Sequence, residues 1–212
     1  MRSKVVPRSS RPYTGRFFME GDEHMQLSMP EKETFRLYLR GMEEADACDI
    51  YDYYRQACVT QFLTFPPHPD VEHTLHILKA FYLPYERRGE PQAWCMLDKQ
   101  RGKVIGHVCF HALEDDTAQL AYVLHPEYWG HGYIREALLP LLEVGFTQFG
   151  LRRITAMVAY ENKRSAKVLE ALGFRLEGIC KEAMKLSDGI YHDMMLYAIL
   201  KKEWRKLYEQ NT

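Results

Sequence analysis

The stretch from 118 to 160 constrains the fold more than any other part of this 212-residue chain. It opens on the strand-like run AQLAYVLH and turns through YWGHGY. REALLPLLEVGFTQFG follows, with Leu138, Leu141, Leu142, Phe146 and Phe149 on one helical face. RRITAMVAY (152–160) then alternates Ile154, Ala156 and Val158 toward one side, as a strand does. Two strands joined through a whole helix pair in parallel by a crossover, so one parallel pair is built into the architecture. Pro140 is expected to kink the helix about the carbonyl of Glu136, and Gly150 to end it.

The rest of the pattern surrounds that unit. TFRLYLR (34–40) alternates Phe35, Leu37 and Leu39 against polar neighbours, a half-buried strand. Helical spacing covers 43–59 and 70–88, interrupted by FLTFPPHP, whose prolines forbid one continuous helix. AWCML, KVIGHVCFH and AQLAYVLH, separated by Asp- and Gly-containing reversals, read as an antiparallel meander. Asn162 caps KRSAKVLEALGF, which carries Ala166, Leu169 and Leu172 on one side and stops at Gly173; two strands then flank the hairpin signal SDGI. The order is strand, two helices, three strands, helix, strand, helix, two strands: a mixed α/β or α+β sheet in a single domain over 34–206. Residues 1–33 hold three prolines and no sustained period and are expected to be a poorly ordered arm, with 207–212 a tail.

Composition removes several function classes. Lys and Arg total 28 against 29 for Asp and Glu, so no general attraction to nucleic acid or anionic membrane is expected. The five cysteines are odd in number and form no CxxC pair, which argues against a disulfide framework or zinc knuckle and for a reduced compartment. No run reaches the roughly 18 apolar residues of a membrane span, and the N-terminus lacks an apolar secretory segment, so a cytoplasmic protein is expected.

The turn carries the chemistry. A helix start offers unpaired backbone N–H groups and the positive end of its dipole, and Gly130 and Gly132 clear the approach for an anion such as the phosphate of a cofactor. Glycines at such turns also serve chain reversal alone. No GxGxxG and no P-loop Lys-Ser/Thr is present, which argues against NAD and nucleoside triphosphates.

YVLHPEYWGHGYIREAL, followed by LRRITAMVAYENKRSAKVLEALGFRLEGICKEAMKLSDGIYHDMMLYAILKKEW, resembles the GNAT acetyltransferase superfamily, in the branch of the ribosomal-protein alanine N-acetyltransferases. The similarity runs from Thr34 to Trp204. It is carried by Pro-x-x-Trp-Gly-x-Gly-Tyr at 126–133, Asn-x-x-Ser at 162–165 and Leu-Gly-Phe-x-x-Glu-Gly at 172–178. The resemblance implies a single GNAT-like domain with a mixed, mostly antiparallel sheet, a parallel pair splayed around the acetyl-CoA site, and about four flanking helices. It further implies that the backbone of Tyr122, Val123 and Leu124 pairs with the pantetheine arm of acetyl-CoA. The amides of Gly130, His131, Gly132, Tyr133, Ile134 and Arg135 would hold the pyrophosphate. Asn162 would contact the cofactor, with Ser165 close to the thiol.

The chain departs from the broader superfamily pattern at four positions: Trp129 stands where Gln or Arg is usual, a change common in this branch, Ile134 where Gly or Ala is usual, Gln119 where relatives often have glutamate, and Leu169 where some have a tyrosine acid. Ser165 is then the candidate catalytic residue, since a hydroxyl at a helix N-terminus can donate a hydrogen bond or shuttle a proton to a leaving thiolate; it can equally serve only the Asn162 cap. At pH 7 an α-amine is neutral about one time in ten and a lysine about one in 2,500, so without a glutamate base the expected acceptor is a protein or peptide N-terminus. A small amine, such as a polyamine, amino sugar or antibiotic, is the alternative acceptor. Gln119 and Leu169 also leave open a module that binds acetyl-CoA without turnover, and a nucleotide-binding phosphate loop is the third class.

Other features have plainer readings beside the functional ones. His107 and His111 share one strand face and could act as base, or be satisfied core or surface histidines. His73-x-x-His76 lacks a third ligand, so no metal is expected. Of the aromatics, Tyr51 and Phe62 are expected inward and Phe65 near the acceptor groove. Glu114, Asp115 and Asp116 could attract a cationic amine or merely keep a hairpin tip soluble. Tyr191 could face the acceptor site. An exposed C-terminal strand would offer an edge for a homodimer.

Overall fold

A computed structural model describes residues 29–84, 93–114 and 116–208; the expected arm over 1–28, the helical positions 85–88, Asp115 and residues 209–212 lie outside the described residues. Strands β1 (Lys32–Glu33) and β2 (Leu37–Arg40) form an antiparallel edge pair. Leu37 and Leu39 are fully buried as the alternation requires, but Phe35 is 91% exposed, because the chain reverses at Thr34–Leu37 and leaves Phe35 at the corner. The sheet starts slightly before Thr34, and Met29 is already buried in the core.

The first helical stretch is broken. Helix α1 (Ala47–Tyr54) ends before Gln56, whose backbone is extended, and α2 (Ala57–Thr60) is a single short turn. After the proline-containing loop, Asp70 caps α3 (Val71–Ile77) by accepting from the His73 amide at 2.7 Å, and a π-helical turn continues it over Leu78–Tyr82. The meander follows as β3 (Ala93–Asp98), β4 (Lys103–Glu114) and β5 (Thr117–Leu124), all antiparallel. Helix α4 (Tyr133–Thr147) carries the chain to β6 (Arg153–Ala159), which pairs with β5 in parallel, as the crossover dictates. Helix α5 (Lys163–Ala171) leads into the hairpin of β7 (Arg175–Lys185) and β8 (Tyr191–Leu200), and α6 (Lys201–Tyr208) closes the described chain.

The sheet order is β1-β2-β3-β4-β5-β6-β8-β7, with β5–β6 as the parallel pair. Two corrections to the sequence reading follow. Among the described residues six α-helices flank the sheet rather than about four, because Gln56 splits the first stretch and the basic KKEWRK end is itself helical, anchored by buried Trp204. The C-terminal strand is not an exposed edge: β8 lies between β6 and β7, its Met194, Met195, Tyr197, Ala198 and Ile199 are buried, and β7 forms the edge. One sheet face packs α1–α3 through Ile50, Tyr53 and Tyr54 onto Ala93, Cys95 and Val104. The main core joins Leu138, Leu141 and Leu142 of α4 with Ala166, Leu169 and Leu172 of α5 and Trp204.

One polar cluster fastens the glycine turn to the far side of the sheet. Glu136, in the first turn of α4, accepts from Thr34 Oγ1 at 2.6 Å, from the Arg36 amide at 2.7 Å and from Arg36 Nε at 2.7 Å. Arg36 Nη1 also donates to the His131 carbonyl at 2.8 Å, and the guanidinium lies 3.8 Å above the Tyr133 ring. The Glu136 side chain is only 16% exposed. Burial pushes its carboxyl pKa up, but the hydrogen bonds and charge from Thr34 and Arg36 outweigh that and hold it below the usual carboxylate range. Glu136→Ala is expected to lower unfolding free energy by about 1–3 kcal/mol at pH 7, measured by denaturant titration. The stabilisation is fully present above the unfolded-state carboxyl pKa and is lost as pH falls through the depressed folded one, so the gap between parent and variant should close in acid.

Candidate functional site

The parallel pairing stops early. Only Thr117–Arg153, Ala118–Ile154 and Gln119–Thr155 are in register between β5 and β6. Beyond them β5 stays with β4 as far as Gly106–Leu124, while β6 stays with β8 as far as Ala159–Met194. The two strands therefore diverge, and Leu120–Leu124 has a partner on one side only. Backbone N–H and C=O groups along that segment face a wedge that can accept an extended, amide-bearing chain by strand-like pairing. Gly106 keeps β4 close to β5, since a Cβ there would collide with the Val123 carbonyl oxygen. Trp129 Nε1 donates to the Leu124 carbonyl at 2.8 Å and ties the end of the strand to the turn that follows.

The turn has the geometry of an anion cradle. Gly130 and Gly132 lie at φ +80° and +79°, the left-handed region that favours glycine. A Cβ on Gly130 would meet open space, and one on Gly132 would approach only Arg36 Nη2, at 3.7 Å. Gly132 is the N-cap of α4, and its carbonyl accepts from the Glu136 amide at 3.0 Å. The amides of Tyr133, Ile134 and Arg135 thus occupy the first turn, where a helix has no acceptor of its own. Ile134, the unusual residue here, is 7% exposed with its side chain in the main core, so its bulk lies beneath the helix and not over those amides. His131 and Arg135 are exposed beside the turn. A cleared turn at a helix N-terminus, next to unpaired strand backbone, fits a diphosphate carried on an amide-containing arm.

The other wall of the wedge is the start of α5. Asn162 Oδ1 accepts from the Ser165 amide at 3.2 Å, which is the cap the spacing predicts and leaves the side-chain NH2 to donate elsewhere. Ser165 Oγ lies 2.5 Å from the Tyr122 hydroxyl, and that hydroxyl also lies 3.1 Å from the Ser165 carbonyl. Burial pushes the Tyr122 hydroxyl up to about 12, so it stays protonated. Arg164 sits 5.2 Å from the Trp129 ring centroid, a second contact between the walls. Tyr122, Val123, Leu124, the 130–135 turn, Asn162 and Ser165 therefore gather around one opening.

Gln119 occupies the last paired rung of the parallel ladder and is half-buried. Leu169 is fully buried in the main core. His107 is buried, flanked by the Tyr53 hydroxyl at 3.1 Å from Nδ1 and the Tyr54 hydroxyl at 3.4 Å from Nε2; burial pushes it down to about 4, so it is a neutral, satisfied core histidine. His111 pairs with Gln119 across the β4–β5 ladder, its pKa lowered by desolvation.

Several aromatic expectations need correction. Tyr53 and Tyr54, not Tyr51, are the inward tyrosines; Tyr51 is half-buried and donates to the Pro69 carbonyl, because it falls on the flank of α1. Phe65 packs edge-on against Tyr54 at 5.3 Å and beside His68, while Phe62 packs onto Ala159, Leu186 and Met194 near the turn of the β7–β8 hairpin. Asp116 pairs with Arg152 at 2.7 Å and so has a structural partner. Asp193 accepts from Lys181 Nζ at 2.7 Å and from the Glu182 amide at 2.9 Å, holding a bulge where Glu182 has φ +45°. Among the described residues no cluster of three metal-ligating side chains occurs, and no helix is long and apolar enough to cross a membrane.

Sequence reasoning missed the clamp of Thr34, Arg36 and Glu136, whose partners lie about a hundred positions apart with no local pattern linking them. Gly106 was legible in principle, because an isolated glycine inside a strand pattern marks close backbone approach.

The sequence profile described as an acetyltransferase (GNAT) domain matches residues 36–175. An uncharacterized N-acetyltransferase, p20, from Bacillus licheniformis is 31% identical over 173 residues, covering 81% of this chain and 96% of that protein. The [ribosomal protein uS5]-alanine N-acetyltransferase of Escherichia coli is 27% identical over 183 residues, covering 81% and 91%. A crystal structure of a GNAT-family acetyltransferase from Bacillus anthracis superposes with TM-score 0.73 at 25% identity, covering 82% of this chain and 100% of that one. The chain belongs to the GNAT acetyltransferases and is an N-acetyltransferase that takes its acetyl group from acetyl-CoA.

Proposed function

We propose that the chain acetylates the α-amine of a protein or peptide N-terminus by direct attack, with no covalent enzyme intermediate. Acetyl-CoA supplies an acetyl group already activated as a thioester. Those backbone groups of Tyr122, Val123 and Leu124 that point away from β4 hold the pantetheine arm, the amides of the 130–135 turn hold the pyrophosphate, and the Asn162 NH2 group adds a polar contact at the wedge. A backbone amide near Leu124 faces the carbonyl oxygen as charge develops on it. Ser165 donates a hydrogen bond toward the departing sulfur. The relative that acts on the alanine of uS5 supports a protein N-terminus as acceptor.

The observation that carries this choice is Gln119 at the mouth of the wedge, where a carboxylate would serve as base. A carboxamide cannot take a proton, and buried His107 is committed to Tyr53 and Tyr54. With no carboxylate on this rung to take its proton, an acceptor that arrives neutral is favoured, and an α-amine is neutral far more often than a lysine.

Two outcomes are expected. In acetylation assays at pH 7, peptides with a free N-terminus should react about two hundredfold faster than blocked peptides bearing only lysine, and kcat/KM should rise with pH and level off above about 8. Equal rates on both amines, or turnover of polyamines with none of peptides, would overturn the assignment. Gly132→Asp places a Cβ at φ +79° and a carboxylate at the helix start; calorimetry should show acetyl-CoA affinity reduced at least about tenfold.

A further inference from the structure

The Tyr122 hydroxyl crosses from β5 to the first turn of α5, and its two neighbours there belong to one residue, Ser165 Oγ at 2.5 Å and the Ser165 carbonyl oxygen at 3.1 Å. Each hydroxyl has one proton to give. When Tyr122 donates to the carbonyl, Ser165 donates to Tyr122, and the serine proton points away from the wedge. When Tyr122 donates to Ser165 Oγ, the serine proton is released toward the wedge. The two arrangements differ only by rotation of two hydroxyl protons. The heavy atoms are held in both, because the Tyr122 ring packs against the main core and Asn162 fixes the serine backbone.

We propose that Tyr122 is a positioning residue that aims the Ser165 hydroxyl proton at the sulfur leaving acetyl-CoA. This rests on the reading of Ser165 as donor. As the amine lone pair forms the C–N bond, the C–S bond breaks and its electron pair passes to sulfur. The extra proton on nitrogen goes to solvent, and Tyr122 and Ser165 both keep theirs. Charge on sulfur favours the second arrangement, in which Tyr122 supports Ser165 Oγ from behind and strengthens it as a donor. Burial pushes the Tyr122 hydroxyl up to about 12, so it remains a donor wherever the amine is reactive. The pair supplies the hydroxyl donor to sulfur that Leu169 does not.

The test reads the pKa of the CoA thiol bound to the protein, from the ultraviolet absorbance of the thiolate across pH, alongside steady-state kinetics. A donor to the sulfur lowers that pKa below the value for free CoA. Ser165→Ala should raise it by about one unit, and Ser165→Thr should leave it low. Tyr122→Phe should also raise it, while kcat falls about tenfold with KM for acetyl-CoA within about twofold of the parent. If Tyr122→Phe matches the parent while Ser165→Ala raises the pKa, Ser165 acts without Tyr122, and this inference alone is overturned. If neither variant moves it, the role of Ser165 falls and this inference with it. Should Tyr122→Phe fail to fold in a thermal melt, a fluorinated tyrosine at position 122, a stronger donor of the same shape, should lower the thiol pKa below the parent's; an unchanged value overturns the proposal.

Discussion

The parting of β5 and β6 after Gln119 and Thr155 is the constraint on which the rest of the site depends. A parallel pair that ran its full length would satisfy every backbone group and leave nowhere for an extended ligand to pair. Because each strand keeps its outer neighbour, β4 on one side and β8 on the other, the sheet opens without coming apart. The opening costs unpaired backbone groups, and a ligand with amides along its length can restore those bonds.

Three features keep the opening in a defined shape. Gly106 lets β4 crowd the Val123–Leu124 backbone, and the Trp129 indole holds the Leu124 carbonyl. Glu136 and Arg36 fasten the glycine turn to the edge of the sheet, so the amides at the start of α4 point into a space fixed by the whole domain. Tyr122 and Ser165 join the two walls through their hydroxyls.

Local physics made much of this legible. The crossover from β5 through α4 to β6 follows from a strand, a helix and a strand in that order, and Gly130, Gly132, Asn162 and Ser165 stand in short motifs whose geometry is local. What stayed hidden depends on contacts distant in sequence. That β8 rather than β7 lies inside follows from which strand of the last hairpin meets β6, and a hairpin pattern is symmetric in that respect. Tyr51, Tyr53 and Tyr54 are near neighbours on one short helix, and only its rotation against β4 decides which are buried. His107 and His111 share a strand face, yet α1 covers one and leaves the other open, a difference that alternation cannot register. Ile134 departs from the usual Gly or Ala without covering the turn, because its side chain is turned into the core, a placement that no motif letter can register.

The central claim is that the opened strand and the glycine turn together hold acetyl-CoA. Backbone amide resonances followed by nuclear magnetic resonance during titration with acetyl-CoA test it most directly. The account predicts saturable shifts at Tyr122, Val123 and Leu124 and at residues 130–135, all with one dissociation constant. Saturable binding that leaves both segments unmoved, with shifts confined elsewhere on the sheet, would contradict it.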